Sequence, residues 1–364
     1  MTRDEMPTDT PEGACGTFPV PLSILELATI SAGSTPAAAL AATTEIARRA
    51  DALGYRRLWV AEHHGMPSVA SSSPAVLLAH LAAATRRIRL GSGGVMLPNH
   101  APLAIAEQFG TLEALHPGRI DLGLGRAPGT DGRTAMALRG SLAASGEDFP
   151  ERLAELIAFL DGAFPEEHPY ARVVAIPGRA LTPAAGRPPV WLLGSSGYSA
   201  QLAGLMGLPF AYARHFSARN TLPALEMYRS TFRPSPDLDR PYAMVCVGAV
   251  AADTDEEARR LATSGALAML RLRAGRPGPV PAPDEADAFA WEGDAADHLR
   301  RWLRNVANGT PDAVVDELAR VQRETDADEL MLTASIHGEA ARIRSFELIA
   351  EELGMVVDAA ALPV

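Results

Sequence analysis

An α/β fold closed into a (β/α)8 TIM barrel is predicted by three features of the chain. Eight short apolar runs rich in branched residues alternate with longer segments of helical period, the pattern of parallel strands joined by crossover helices. Eight such units in roughly 340 residues match the size of a closed barrel. Polar residues gather after the carboxyl ends of these runs, and nothing comparable precedes their starts. An open doubly wound sheet would begin with a glycine-rich turn, whereas the first turn here is Glu26-Leu27-Ala28-Thr29. In Gly123-Leu124-Gly125-Arg126-Ala127-Pro128, a proline stands where a dinucleotide fingerprint needs its third glycine.

The elements follow in order. The first strand spans 22–27. Ser34-Thr35-Pro36 then opens a helix, with proline at its first position, that closes at Gly54. The second strand, 57–61, runs into a polar loop and a helix from Pro74 to about Arg87, which Ser72 and Ser73 are placed to cap. The third strand, 88–97, precedes a helix over 102–115 that His116-Pro117-Gly118 ends. The fourth, 119–125, leads through a long loop to a helix near 151–160. The fifth, 189–193, feeds a helix over 198–206. Helical segments follow the sixth (209–213) and seventh (243–250), the latter opened by Asp253-Thr254-Asp255-Glu256. The eighth, 329–334, precedes a last helix over 339–353. One domain over 19–355 is expected, with excursions across a barrel face at 161–187 and 275–309. Disordered tails are expected at 1–18 and 356–364.

Composition removes whole classes of function. With 47% hydrophobic and 21% charged residues, the chain is too apolar to remain disordered. The formal charge of −11 and the lack of a dense basic face argue against nucleic acid. All 33 basic residues are arginine, so Schiff-base aldolase, pyridoxal-phosphate, Walker-A and carbamylated-lysine chemistry all lose their amine. Cys15 and Cys246 are too few for a disulfide framework or a cysteine-held metal. No apolar run reaches the roughly 18 residues of a membrane helix, and the polar start has no signal-peptide pattern, so a cytoplasmic protein is expected.

In a barrel, functional groups stand at the carboxyl ends of strands. Those ends are Glu26, then Glu62-His63-His64, Met96 through Asn99-His100, Gly125-Arg126, Gly194-Ser195-Ser196-Gly197, Arg214-His215 and Ser335-Ile336-His337. The Gly-Ser-Ser-Gly turn opens a helix and offers N–H groups and hydroxyls to an anion, with Arg126 as a forked cation for a phosphate. A phosphorylated cofactor with its ring toward the barrel axis suits this set. Glu26, His215 and His337 are substrate-pocket candidates. No metal is expected, because adjacent histidines on an extended chain point to opposite sides and a His-x-His pair is absent.

Several stretches closely resemble the bacterial-luciferase-like family of flavin monooxygenases. They are Leu58-Trp59-Val60-Ala61-Glu62-His63-His64, residues 89–102 (RLGSGGVMLPNHAP), residues 106–131, Trp191 through Gly197 (WLLGSSG), and residues 328–337. The resemblance covers residues 20 to 353 and is nearest to the single-component subgroup that includes tailoring oxygenases of aromatic polyketide pathways. It implies a (β/α)8 barrel, usually a homodimer, that receives reduced FMN from a separate flavin reductase. Dioxygen then forms a flavin C4a-peroxide that oxygenates a small organic substrate. His63 and His64 match the family's catalytic histidine region, and Met96, Asn99, Gly125 and Arg126 the flavin side. Gly194, Ser195, Ser196 and Tyr198 match the phosphate-binding turn. Gly125 replaces the luciferases' reactive cysteine and Gly194 their glutamate, and both departures count against light emission. An F420-dependent hydride-transfer enzyme and a flavin-binding protein without turnover are the competing expectations.

Overall fold

The computed structural model describes residues 18–127, 129–139, 148–178 and 186–355. The expected tails lie outside the described residues, except that Phe18 is buried in the core.

Along the chain come β1 (Leu22–Glu26), α1 (Pro36–Leu53), β2 (Arg57–Val60), α2 (Pro74–Ala84), β3 (Arg89–Ser92) and β4 (Val95–Met96). There follow α3 (Pro102–Leu115), β5 (Ile120–Gly125), α4 (Gly132–Arg139), α5 (Phe149–Asp161), β6 (Val190–Gly194), α6 (Gly197–Met206), β7 (Phe210–Tyr212) and α7 (Thr221–Thr231). The chain ends with β8 (Ala243–Ala251), α8 (Asp255–Arg273), α9 (Pro283–Asp287), α10 (Gly293–Asn305), β9 (Val306–Gly309), α11 (Pro311–Thr325), β10 (Glu329–Thr333) and α12 (Glu339–Glu352).

Every strand pairing is parallel, in the order β10-β1-β2-β3-β5-β6-β7-β8, and the β10–β8 pair closes the ring. Eight strand positions therefore surround one axis, as predicted. Two details differ from the sequence expectation. The third run divides into β3 and β4 at Gly93–Gly94, and both halves pair with β5. The stretch 275–309 holds α9, α10 and β9, and β9 extends the sheet beside the far half of β8. The long loop after β5 contains α4.

Local chemistry explains the helix limits. Thr35 accepts the Ala38 N–H at 3.2 Å and Pro36 supplies the first helical φ, while Gly54 (φ 82°) ends α1 in the left-handed region. Thr254 caps α8 through Glu257 N, with Asp255, Glu256 and Glu257 in its positive first turn and Arg271 and Arg273 in its last. Ser73 occupies the N-cap of α2 as expected, yet its side chain makes no capping hydrogen bond.

Period-2 alternation separates two cores. Ile24, Leu58, Val60, Leu192, Val245 and Leu332 face the helices, while Leu25, Trp59, Trp191, Met244, Cys246 and Met331 fill the barrel. Beneath them, at the strand starts, where the sequence predicts nothing comparable to the polar rim, Arg57 grips Glu329 in a fork (2.7 and 2.9 Å) and Asp121 at 2.7 Å. Arg89, Trp59 Nε1 and Tyr242 Oη complete this buried polar floor. Although burial pushes its pKa up, Asp121 is held down at about 2 by Arg89 and Arg57.

Candidate active site

The same alternation that buries Trp59 carries the chain upward through Ala61 to His63, so His63 enters the barrel mouth while Glu62 and His64 turn outward. The carboxyl ends of β2, β4, β5, β6 and β7 surround a cup that opens to solvent. Its wall is cut back by glycines. A Cβ on Gly194 would stand 2.5 Å from Ser199 Cβ, one on Gly94 2.7 Å from the Gly123 carbonyl, and one on Gly125 only 2.9 Å from the flexible Met96 sulfur. Glycine at Gly194 and Gly94 therefore lets the strand ends pack closely against their own neighbours, where a side chain would collide.

The polar end of the cup lies between β5 and β6. Arg126 is exposed on the rim, its guanidinium 4.3 Å from the centre of the Tyr198 ring. Ser195 and Ser196 are exposed beside it, and Ser196 N-caps α6 without spending its hydroxyl on the helix. That leaves the first N–H groups of a ten-residue helix and two hydroxyls facing the guanidinium. Tyr212 Oη donates to the Ser195 carbonyl (3.2 Å) and the Ser217 carbonyl (2.8 Å), anchoring the turn. Tyr212 and Ser199 went unnamed in the sequence. An aromatic near a strand end and a serine one turn into the helix were the available signals.

At the opposite end stand two imidazoles. The backbone of His63 is fixed by its amide N–H to the Ser71 carbonyl (3.0 Å), and that of His215 by its amide N–H to the Cys246 carbonyl (3.1 Å). Both Nδ1 atoms are buried and have no hydrogen-bond partner among the described residues. Burial pushes the pKa of each down, that of His215 to about 4, and their mutual repulsion adds to the effect at His215. Both are therefore uncharged at neutral pH. Burial pushes the Cys246 thiol up, so it is no nucleophile.

Other expected residues are placed elsewhere, for geometric reasons. His64 lies on the outer side, where its Nε2 meets Glu62 Oε1 at 2.8 Å, and His100 Nε2 meets the same oxygen at 2.8 Å. Met96 N donates to the second oxygen at 3.1 Å. Despite burial, His100 and His64 hold the Glu62 pKa below its ordinary value. Among the described residues, this trio is the one group of histidine and carboxylate atoms close enough to share a metal ion. Sequence spacing missed it because His100 arrives from a different strand.

Glu26 faces the helices. It accepts from Ala28 N (2.8 Å) and Thr43 Oγ1 (3.3 Å) and pairs with Arg342 at 3.5 Å, outside both cavities at the barrel mouth. His337 Nε2 donates to the Ala32 carbonyl (3.0 Å) and ties two rim loops together without lining either cavity. Asn99 ends the 3-10 turn Leu97–Asn99, and Tyr198 stands behind Arg126; neither lines the cup. Met96, Gly125, Arg126, Gly194, Ser195, Ser196, His63 and His215 do line it together.

Known proteins share this sequence and architecture. Residues 20–327 match the family model described as luciferase-like monooxygenase. A luciferase-like monooxygenase of Escherichia coli (strain K12) is 46% identical over 337 residues, covering 92% of this chain and 98% of that protein. The crystal structure of apo-MsnO8 superposes with a TM-score of 0.83 at 39% identity, over 92% of this chain and 98% of that one. The oxygenating constituent of 3,6-diketocamphane monooxygenase from Pseudomonas putida, a type II Baeyer-Villiger enzyme in complex with FMN, has the same fold. Its TM-score is 0.69 at 20% identity, over 95% and 99% of the two chains. With its closed parallel barrel and a match over most of its length, this chain belongs to the luciferase-like monooxygenase family.

Proposed function

We propose that this protein is a monooxygenase that uses reduced FMN and dioxygen to oxygenate a small organic substrate. The observation that carries the proposal is the two-ended cup. Arg126 with the Ser195-Ser196 helix start forms an anion-binding end, and two uncharged imidazoles form the other. The residues fit a flavin nucleotide, because the cup joins a cation and an open helix start for a phosphate to an apolar floor for a ring, and the buried Nδ1 atoms of His63 and His215, unpartnered among the described residues, line it as hydrogen-bonding sites. Bound there, reduced FMN would supply the electrons that activate dioxygen, placing one oxygen atom in the substrate and the other in water.

The chain's own groups do the rest. Arg126 and the open N–H groups of α6 hold the phosphate. Leu25, Trp59, Leu193 and Met331 keep the floor of the cup dry. His63 is neutral and its Nδ1 is unengaged, so it can accept a proton or hydrogen bond at the reacting end. Separate delivery of reduced flavin by a reductase, a homodimer, a cytoplasmic setting and an aromatic polyketide or other secondary metabolite as substrate belong to the same proposal. No helix among the described residues is long and apolar enough to cross a membrane.

The test is to mix the protein with photoreduced FMN in air and follow oxygen uptake and flavin oxidation, titrating F420 in parallel. Slowed flavin autoxidation with FMN in preference to F420 supports the proposal. Preferential F420 binding would favour hydride transfer, and tight flavin binding with no effect on oxygen would leave a carrier.

A further inference from the structure

Beyond the cup lies a second cavity, which shares Leu27, His63, His215 and Phe216 with it. Its far wall is α8, through Ala268, Met269 and Leu272, joined by Trp302 of α10. Trp302 Nε1 donates to the Ala262 carbonyl at 3.0 Å, which fixes the indole in the wall. Gly265 permits this packing, since a Cβ there would collide with the Ser335 carbonyl and press to 3.0 Å from the indole edge. Val280 closes the roof. Its N–H donates to the Ile30 carbonyl (2.9 Å) and its carbonyl accepts from Ala32 N (2.8 Å), so this part of the 275–309 stretch is tied to the loop after β1.

The charge pattern is the informative part. None of the described residues lining this cavity is arginine, aspartate or glutamate, and the chain has no lysine. Arg271 and Arg273 lie on the same helix but engage Glu285 (2.7 Å) and His298 (3.3 Å) instead. Hydroxyls of Thr29, Ser68, Thr333 and Ser335 are the polar lining besides the two imidazoles, which are uncharged at neutral pH. A carboxylate or ammonium moved into such a space would give up its water with no counter-ion to replace it.

We infer that this cavity receives a neutral, largely apolar organic substrate, its body against α8 and Trp302 and its reacting end at the wall formed by His63, His215 and Phe216. The position of the reacting end rests on the flavin reading of the adjoining cup. The preference for an uncharged ligand does not.

Two fluorescent probes that differ by a single sulfonate test it: N-phenyl-1-naphthylamine and 1-anilinonaphthalene-8-sulfonate, each titrated into the whole protein with and without saturating FMN. The neutral probe is expected to bind saturably, one per chain, at least tenfold tighter than the sulfonate, and to remain bound beside FMN. Ala268→Trp should weaken the neutral probe at least tenfold, and Met269→Arg should shrink the neutral-over-anionic preference by a similar factor. Equal or tighter binding of the sulfonate overturns the inference, as does neutral-probe binding that neither substitution changes. If the probes behave as expected but FMN does not bind, the flavin reading falls and this one stands. If FMN binds but both variants leave the probes unchanged, the reverse holds.

Discussion

At the residue scale, small changes of side chain separate packing from chemistry. Arg126 is exposed and, among the described residues, braced by the Tyr198 ring, so its removal should leave folding intact. Arg126→Ala is expected to weaken FMN binding roughly ten- to a hundredfold through loss of a charge-assisted contact, read by equilibrium titration. An unchanged dissociation constant would put the phosphate elsewhere. The glycines divide by what their Cβ would meet. At Gly123 it would run into the Ser92 carbonyl, a backbone atom that cannot yield, whereas at Gly125 it meets the mobile Met96 sulfur. Gly123→Ala should therefore cost about 3 kcal/mol in urea unfolding and Gly125→Ala under about 1 kcal/mol, while the latter still narrows the cup.

His215 carries the pH prediction. Its native pKa of about 4 lies below the unfolded value of about 6.5, so the unfolded chain binds the proton more readily. Stability is then full above pH 6.5 and declines as pH falls toward 4. Comparing wild type with His215→Gln should assign roughly 1–3 kcal/mol of that decline to this one imidazole. If both proteins lose stability equally between pH 7 and 4.5, His215 is not held neutral by burial.

At the element scale, alternation along a strand decides which neighbour faces the cup. In Glu62-His63-His64, one residue enters the barrel mouth and its two neighbours join His100 in a separate cluster. The two-residue period explains this split, although the sequence motif groups His63 with His64, and it also explains why Glu26, expected in the substrate pocket, faces the helices: it stands one step after Leu25, which fills the barrel. The turn opening α6 was equally readable, because glycine and serine at a strand-to-helix junction leave N–H groups free. What stayed hidden depended on long-range register. The floor of Arg57, Arg89, Asp121 and Glu329 joins residues up to 272 apart in sequence, and no local pattern pairs them. Likewise α10 and β9 lay inside a stretch whose proline, alanine and aspartate content disguised an amphipathic helix and a strand edge. Removing Glu329 should be severe, because it leaves the buried Arg57 fork without its hydrogen bonds to that carboxylate and with Asp121, shared with Arg89, as its remaining counter-charge. Glu329→Ala is expected to cost about 3–5 kcal/mol by chemical denaturation, without changing which flavin binds.

At the scale of the whole molecule, the barrel is polar in two senses. Its amino end is locked by a buried ion network, and its carboxyl end is left open, glycine-lined and asymmetric in charge. The buried ion network and the open cup thereby lie at opposite ends of the same eight strands, so rim residues can vary without loosening the ring. The two adjoining cavities share their histidine wall, so a flavin in one and an organic molecule in the other would meet there and nowhere else on the described surface.

If the cup grips a flavin by its phosphate, as proposed, FMN and riboflavin should bind it with different affinities. The two differ only in that group. Binding of FMN at least tenfold tighter than riboflavin, with the difference abolished by Arg126→Ala, is the result expected. Equal affinity for the two flavins in the wild-type protein would contradict it.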